Sequence, residues 1–309
     1  MKILVTGGAG FIGSHFVDYL VENYDDHLVV IDKLTYAGNL DNLALSKGQI
    51  EFIRGDICLA EDLEAAFADG IDWVVNFAAE THVDNSIEAP LAFAETNVLG
   101  TLRLLMFSLE HDVRRFLQVS TDEVYGSRKT GHFKEDDPHR PSSAYAATKS
   151  GAEKLVWSYH VTHGLPVLTT RSSNNYGPRQ HSEKFIPTVI RNALAGTPIP
   201  VYGDGQNQRD WLFVRDNCQA IDLVLRQGEI GQEYNIGADC TLPNLNLARR
   251  LVQIAGASED LIQFVEDRKG HDFRYAIDSG KIKALGWEPE TDFDAGLRET
   301  VEWYRQRIR

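Results

Sequence analysis

Thr6-Gly7-Gly8-Ala9-Gly10-Phe11-Ile12-Gly13 lies between an apolar run, Ile3–Thr6, and an amphipathic stretch from about Gly10 to Glu22. Gly8, Gly10 and Gly13 fit Gly-x-Gly-x-x-Gly, and Gly7, Gly10 and Gly13 fit Gly-x-x-Gly-x-x-Gly. Residues without a Cβ permit a tight turn and a close approach of backbone to a pyrophosphate. The helix that follows offers unpaired N–H groups and the positive end of its dipole to the phosphates. Ile12, Phe16, Val17 and Leu20 recur at helical spacing and form its inner face. Such glycines are common alone; their place between a strand and a helix makes this a dinucleotide-binding turn.

Further short apolar runs at Leu28–Asp32, Glu51–Arg54, Trp73–Phe77, Phe116–Ser120, Val167–Arg171 and Glu233–Ile236 read as strands. They alternate with helical stretches, notably Pro90–His111 and Ser143–His163, the latter capped by Ser142 or Ser143 after Pro141. The expected fold is therefore α/β: a Rossmann-type doubly wound parallel sheet with a smaller C-terminal substrate-binding lobe. Prolines 178, 187, 198, 200, 243 and 289 break the later chain into shorter pieces. Residues 1–171 are expected to be mainly the NAD-binding domain and 172–309 mainly the substrate lobe, with the chain crossing between them.

The whole chain carries 31 Lys and Arg against 45 Asp and Glu, a net charge of -14. That balance argues against a nucleic-acid or membrane-surface protein, though a local pocket can still be positive. Cys58, Cys218 and Cys240 lie far apart, so neither a disulfide framework nor a zinc site is indicated. His82 and Asp84 superficially resemble metal ligands, but spacing places no third one, and no metal is expected. No apolar run approaches the roughly 20 residues of a membrane span, and no signal-peptide layout precedes Ile3. A soluble cytoplasmic protein is expected.

Asp32 ends the second strand about twenty residues after Gly13, where a ribose-binding acid is looked for. A carboxylate there accepts hydrogen bonds from both ribose hydroxyls and repels a 2′-phosphate, favouring NAD over NADP; Lys33 beside it weakens that inference. Asp56-Ile57, after the third strand, is a candidate grip on adenine. Tyr145 and Lys149 stand one helical turn apart on one face. A Lys ammonium with a nicotinamide charge would favour the phenolate and lower the Tyr pKa, making it a general base. Taken alone this pair would read as surface; the nucleotide site upstream reverses that. Ser120-Thr121-Asp122-Glu123-Val124-Tyr125-Gly126 follows the Phe116 strand, and such strand ends face the ligand crevice. Adjacent carboxylates there divide acid and base roles when their environments separate their pKa values.

These motifs together resemble extended short-chain dehydrogenase/reductases, and most closely the dTDP-glucose 4,6-dehydratase family. The resemblance covers nearly the whole chain. Its specific stretches are Thr6–Gly13, Phe77–Asp84, Thr121–Gly126, Tyr145–Lys149, Ser173–Gly177 with Glu183-Lys184, Gln206–Trp211 and Gly270–Asp278. Thr121-Asp122-Glu123 is the most discriminating, since similar epimerases usually carry small residues there. Two departures, Arg179 and Lys269, each put an extra cation near the expected nucleotide end.

The resemblance implies that Gly7, Gly10, Phe11, Ile12, Gly13, Asp32, Lys33, Leu34, Thr35, Asp56, Ile57, Phe77, Ala78, Ala79, Glu80, Thr81, Thr96, Tyr145, Lys149 and Asn175 contact NAD. Thr81, Thr121, Asn174, Lys184, Phe185, Pro200, Val201, Tyr202, Arg209, Asn244, Asp267, Arg268, Lys269, Gly270 and His271 would contact the nucleotide-sugar. Arg209, Lys184 and Arg268 would neutralise its diphosphate, and Tyr202 would cover its base. The implied reaction is loss of water from a nucleoside-diphosphate hexose, dTDP-glucose first among candidates. Tyr145 takes the C4 hydroxyl proton during oxidation, Thr121 orients that oxygen, Lys149 supports Tyr145, Glu123 removes the C5 proton and Asp122 protonates the leaving C6 hydroxyl. A same-fold epimerase or UDP-glucuronate decarboxylase, a net NAD(P)-dependent sugar reductase and a non-catalytic NAD sensor are the alternatives. Helices Pro90–His111 and Ser143–His163 resemble the pair that forms a four-helix dimer interface in relatives, so a homodimer is implied.

Overall fold

A computed structural model describes residues 1–267 and 272–307. The strands are β1 (Lys2–Thr6), β2 (His27–Asp32), β3 (Ile50–Arg54), β4 (Trp73–Asn76), β5 (Arg115–Thr121), β6 (Val167–Ser172), β7 (Asn174–Tyr176), β8 (Ile199–Tyr202), β9 (Gln208–Phe213), β10 (Glu233–Ile236), β11 (Thr241–Pro243) and β12 (Ile262–Val265). One seven-stranded sheet runs β10-β6-β5-β4-β1-β2-β3, all neighbours parallel. Its strands are apolar on both faces because helices cover both. Ile3, Val5, Val30 and Val75 point into one buried layer with Phe16 and Leu20, while Leu4, Val29, Ile31 and Val74 point into the other with Leu104 and Phe116.

The winding reverses at β1, which lies between β2 and β4, and a crevice opens at the carboxyl ends of such strands. There Thr6 Oγ1 donates to Asn76 Oδ1 at 2.6 Å, and Asn76 Nδ2 donates to Gln118 Oε1 at 2.9 Å, so a buried polar chain ties β1, β4 and β5 together. Beyond β6 the chain builds a second core around Ile190, Val201, Trp211, Leu247, Leu251 and Leu297, framed by the β11-β9-β7 sheet and the β12-β8 pair. It also returns to the large sheet, where β10 pairs with β6 and the Val214–Gln227 helix packs Cys218, Ile221 and Val224 into the first layer.

The second helix departs from the continuous Pro90–His111 element that its periodicity predicts. It is helical over Pro90–Phe93, widens to a π-helix over Ala94–Gly100 and resumes as Thr101–Glu110. Buried Asn97 lies in the wide turn. Its amide accepts from Glu80 N at 2.9 Å and donates to Glu80 O at 3.1 Å and to Thr148 Oγ1 at 3.0 Å. These long-range bonds satisfy a polar side chain that a regular helix would bury without partners.

Candidate active site

A crevice of about 280 Å³ lies at the carboxyl ends of the central strands. The Thr6–Gly13 turn forms its floor. Gly7 has φ +66°, and a Cβ there would sit 2.7 Å from Ala78 N; at Gly13 it would sit 2.3 Å from Gly7 O. Only glycine fits either place, as a turn hugging a pyrophosphate requires. The Phe11–Asn23 helix has Gly10 as its N-cap, with no side chain bonding its first N–H groups, so the helix start suits an anion.

Asp32 stands at the end of β2. Its Oδ2 accepts from Ala9 N at 2.9 Å and its Oδ1 from Leu34 N at 2.8 Å, and burial pushes its pKa up. Leu34 takes φ +57° to make that bond and does not line the crevice, contrary to the contact the resemblance implies for it. Its role is to aim Asp32. Lys33 Nζ sits 2.6 Å from Asp56 Oδ2. Burial would push Asp56 up, but the bonds from Lys33 and Cys58 N outweigh it and hold the carboxyl low. Lys33 is thereby engaged by Asp56 and turned from Asp32, which meets the objection it raised to NAD. NAD is expected to bind at least about tenfold tighter than NADP, because a 2′-phosphate would meet the Asp32 carboxylate. Asp32→Ala should bring the two Kd values together, checked by calorimetric titration of each cofactor; a wild-type preference for NADP would overturn this role.

The acid–base groups come from two elements. Ser143 caps the Ala144–His163 helix by accepting from Ala146 N at 3.1 Å, which sets Tyr145 and Lys149 on the crevice face. Lys149 is 4% exposed, and its Nζ donates to Val119 O at 2.7 Å. Burial lowers it to about 8, with the Glu153 carboxylate opposing. Thr121 ends β5 and caps the short 3₁₀ turn Asp122–Tyr125, its hydroxyl accepting from Glu123 N at 3.3 Å. Thr121 also bonds the Tyr145 phenol.

The lowered Tyr145 pKa is expected from Lys149 together with a nicotinamide charge, and the chain without that charge shows the opposite direction. Burial first, then the Glu123 carboxylate, pushes the phenol far up against only the Thr121 bond, so it stands protonated. Asp122 is 2% exposed; its Oδ1 receives Thr121 Oγ1 at 3.4 Å, and its Oδ2 is buried without a partner. Burial, then Glu123 and Asp210, raises its pKa well above the usual Asp value despite Arg209. A carboxyl biased toward its protonated form therefore stands beside Glu123 and within the reach of the same hydroxyl that bonds Tyr145.

Every residue assigned to NAD except Leu34 lines this crevice, as do Thr121, Asp122, Glu123, Asn174 and Lys184. The Oδ1 atoms of Asn174 and Asn175 are buried without partners, acceptors suited to a polar ligand. Lys184 Nζ donates to Thr81 O at 3.0 Å. Among the described residues, the remaining substrate residues do not line it. Phe185 stacks on Trp211 at 6.5 Å in the C-terminal core. Pro200, Val201 and Tyr202 lie on β8, and Asp267 is near Gly203 just after it. Asn244 opens the Asn244–Ala255 helix, its N donating to Asn207 O at 2.9 Å. Buried Arg209 donates to Asp272 O at 2.9 Å and lies 4.3 Å over the Tyr275 ring. Arg268, Lys269, Gly270 and His271 lie outside the described residues.

Arg179 is not at the nucleotide end. Its guanidinium is 2.7 Å from Asp18 Oδ2 and donates to Ser14 Oγ at 3.3 Å, both on the Phe11–Asn23 helix, because a largely buried cation goes to the nearest buried carboxylate. His82 faces Asp84 at 3.7 Å and Glu183 at 3.8 Å, and among the described residues no three such groups could hold a metal. Ser173, in a stretch the resemblance singles out, also lines the crevice, as do Ser172, Gln180 and His181, which sequence reasoning passed over. Their one signal was proximity to the Asn174-Asn175 segment.

A model of the family described as GDP-mannose 4,6 dehydratase matches residues 4–300. The chain is 55% identical over 306 residues to the low-salt glycan biosynthesis protein Agl12 of Haloferax volcanii, covering 98% of each. It is 50% identical over 314 residues to the dTDP-glucose 4,6-dehydratase of an Actinoplanes species, covering 99% of this chain and 98% of that one. The crystal structure of a dTDP-glucose 4,6-dehydratase from Streptomyces venezuelae, with NAD and TYD bound, superposes with a TM-score of 0.96 at 47% identity over 99% of this chain and 97% of the other.

Proposed function

The chain belongs to the dTDP-glucose 4,6-dehydratase family of extended short-chain dehydrogenase/reductases, and from that premise we propose that it converts dTDP-glucose to dTDP-4-keto-6-deoxyglucose and water with a bound NAD. The observation that carries the reading is Asp122: a buried carboxyl whose pKa is raised, beside a second carboxyl, Glu123. An elimination needs an acid for the leaving hydroxyl and a base for the adjacent C–H. C4 epimerisation and net reduction need no such acid, and a cofactor sensor needs neither group.

The glycine turn fits a pyrophosphate, Asp32 the ribose hydroxyls and Asp56-Ile57 the adenine. NAD, when bound there, supplies a hydride acceptor for C4 and a hydride donor for C6. Lys149 and the positive charge of a bound nicotinamide would together favour the phenolate of Tyr145, the form that accepts the C4 hydroxyl proton, and Thr121, bonded to that phenol, orients the reacting oxygen. Lys149 sets a positive charge one helical turn beyond. The C4 ketone acidifies C5–H, and Glu123 removes that proton. Asp122 gives its proton to the departing C6 hydroxyl, and a proton returned to C5 completes the turnover. Lys184, on the crevice wall, and Arg209 are the cations this reading assigns to the diphosphate.

Incubation of the purified protein with dTDP-glucose and with UDP-glucose, followed by mass detection, tests this. The thymidine sugar should lose one water with no net change in free cofactor. No water loss from either sugar would reject the dehydratase reading.

A homodimer completes the proposal. Leu99 and Met106, 57% and 54% exposed, lie two turns apart on the second helix, and Trp157 and Val161 are exposed on the helix packed beside it. Two copies burying these faces would form a four-helix interface. The wild type should scatter light as a dimer. Leu99→Glu with Met106→Glu should give a folded monomer or an unstable protein; a wild-type monomer at working concentration would reject the interface. We place the protein in the cytoplasm, a reading that three unpaired thiols suit. Among the described residues no helix is long and apolar enough to cross a membrane.

A further inference from the structure

Three consecutive residues at the end of β5 are each bonded to a different residue of the Ala144–His163 helix. Val119 O accepts from Lys149 Nζ at 2.7 Å, Ser120 Oγ donates to Glu153 Oε1, and Thr121 bonds the Tyr145 phenol. Two of these rungs carry the pair to which the proposed function assigns proton transfer. The third ends on Glu153, which does not line the crevice. Its other oxygen, Oε2, takes a two-pronged bond from Arg171 of β6, Nε at 2.9 Å and Nη2 at 2.7 Å. Both side chains are almost wholly buried. Arg171 Nη1 continues to Tyr125 OH at 2.6 Å, and Tyr125 closes the 3₁₀ turn that bears Asp122 and Glu123. Glu153 thus joins the strand end, the helix and, through Arg171, the far end of the acid-bearing turn.

We infer that Glu153 is the positioning residue of this site: it is the counter-charge of Lys149 and the clamp that keeps the Tyr145–Lys149 face of the helix in register with Thr121. Glu153 lies one helical turn beyond Lys149. Of the charged groups on the elements packed here, Glu153 is the one that acts on that ammonium, Tyr145, Asp122 and Glu123 share its crevice, and Arg171 on β6 and His139, whose Nε2 is 3.7 Å from Glu153, face Glu153 itself. Among them Glu153 is the carboxylate that favours a charged Lys149, against burial that disfavours it. A buried bidentate pair whose stability contribution is offset by desolvation is better suited to fixing geometry than to adding stability.

The inference rests on the assignment of Tyr145 and Lys149, so its test has a readout independent of turnover. In isotopically labelled protein, the Lys149 side-chain NMR signal is titrated with pH. Glu153→Gln should lower the Lys149 midpoint by about one unit or more. The alkaline limb of kcat/KM should move to lower pH with it, because the charged ammonium is then lost earlier. Removing one member of a buried pair strands the other, so Glu153→Gln with Arg171→Met is made in parallel and should show the same fall. Glu153→Asp keeps the charge on a shorter arm. It should restore most of the midpoint yet lower kcat about tenfold with KM within twofold, as a loosened clamp would. A Lys149 midpoint within 0.3 unit of wild type in either Gln variant, or an unchanged kcat in the Asp variant, overturns the inference. Absence of dehydratase activity in the wild type would instead reject the proposed function, while the NMR titration would still decide whether Glu153 sets the charge of Lys149.

Discussion

Replacing Tyr145 by Phe should lower turnover by about 10²–10⁴-fold, the range for losing a positioned proton-transfer group. The substitution deletes one oxygen and almost no volume, and the ring keeps its edge-on contact with Phe93, 6.4 Å between centroids. The main structural loss is the bond to Thr121, about 1 kcal/mol, so the fold and NAD binding should survive. Because burial and Glu123 hold the phenol protonated in the chain alone, C4 oxidation by the wild type, read as nicotinamide absorbance in a single turnover, should quicken with rising pH as that proton becomes removable. Tyr145→Phe should lose this dependence along with its rate. Single-turnover absorbance of the nicotinamide, with a thermal melt of the same sample, checks both parts. Turnover within a few fold of wild type would reject Tyr145 as the base.

Asp122→Asn should separate two stages that Tyr145→Phe blocks together. Asn matches the size and neutrality of the protonated acid and can accept the Thr121 hydroxyl bond that Asp122 Oδ1 accepts now. It cannot deliver a proton to a leaving hydroxyl. C4 oxidation, which uses Tyr145 and Lys149, should continue, and exchange of C5–H through Glu123 should persist. Water loss should fall about 10²–10⁴-fold, as for any missing general acid. A substrate carrying fluoride at C6 needs less protonation on departure and should recover part of the rate. In the wild type, water loss should decline as pH rises through the raised Asp122 pKa, since only the neutral acid can donate. Mass detection of dehydrated product beside nicotinamide absorbance separates the stages; an equal fall in both would show that Asp122 is not the specific acid.

The limit of what was legible in the sequence follows the range of the forces involved. Alternation and helical periodicity are local, and so are the steric demands of Gly7 and Gly13. The seven strands of the large sheet, the first helix and the Ser143-capped helix could therefore be read from neighbouring residues, along with the turn and Asp32. Adjacency made Asp122-Glu123 visible as a pair, and helical spacing did the same for Tyr145 and Lys149. Charge and hydrogen bonding in a dry interior depend on partners far along the chain, and there local reading stopped. Lys33 is engaged by Asp56, Arg179 by Asp18 and Asn97 by Glu80 and Thr148, none within the window that periodicity senses. The glycine turn, the sheet and the candidate acid–base residues were thus written in short stretches of sequence. Folding alone decided that burial raises Asp122 and Tyr145, and that Glu153 stands behind Lys149. Each of those depends on how much water and which distant charge the packed strands and helices leave beside a group.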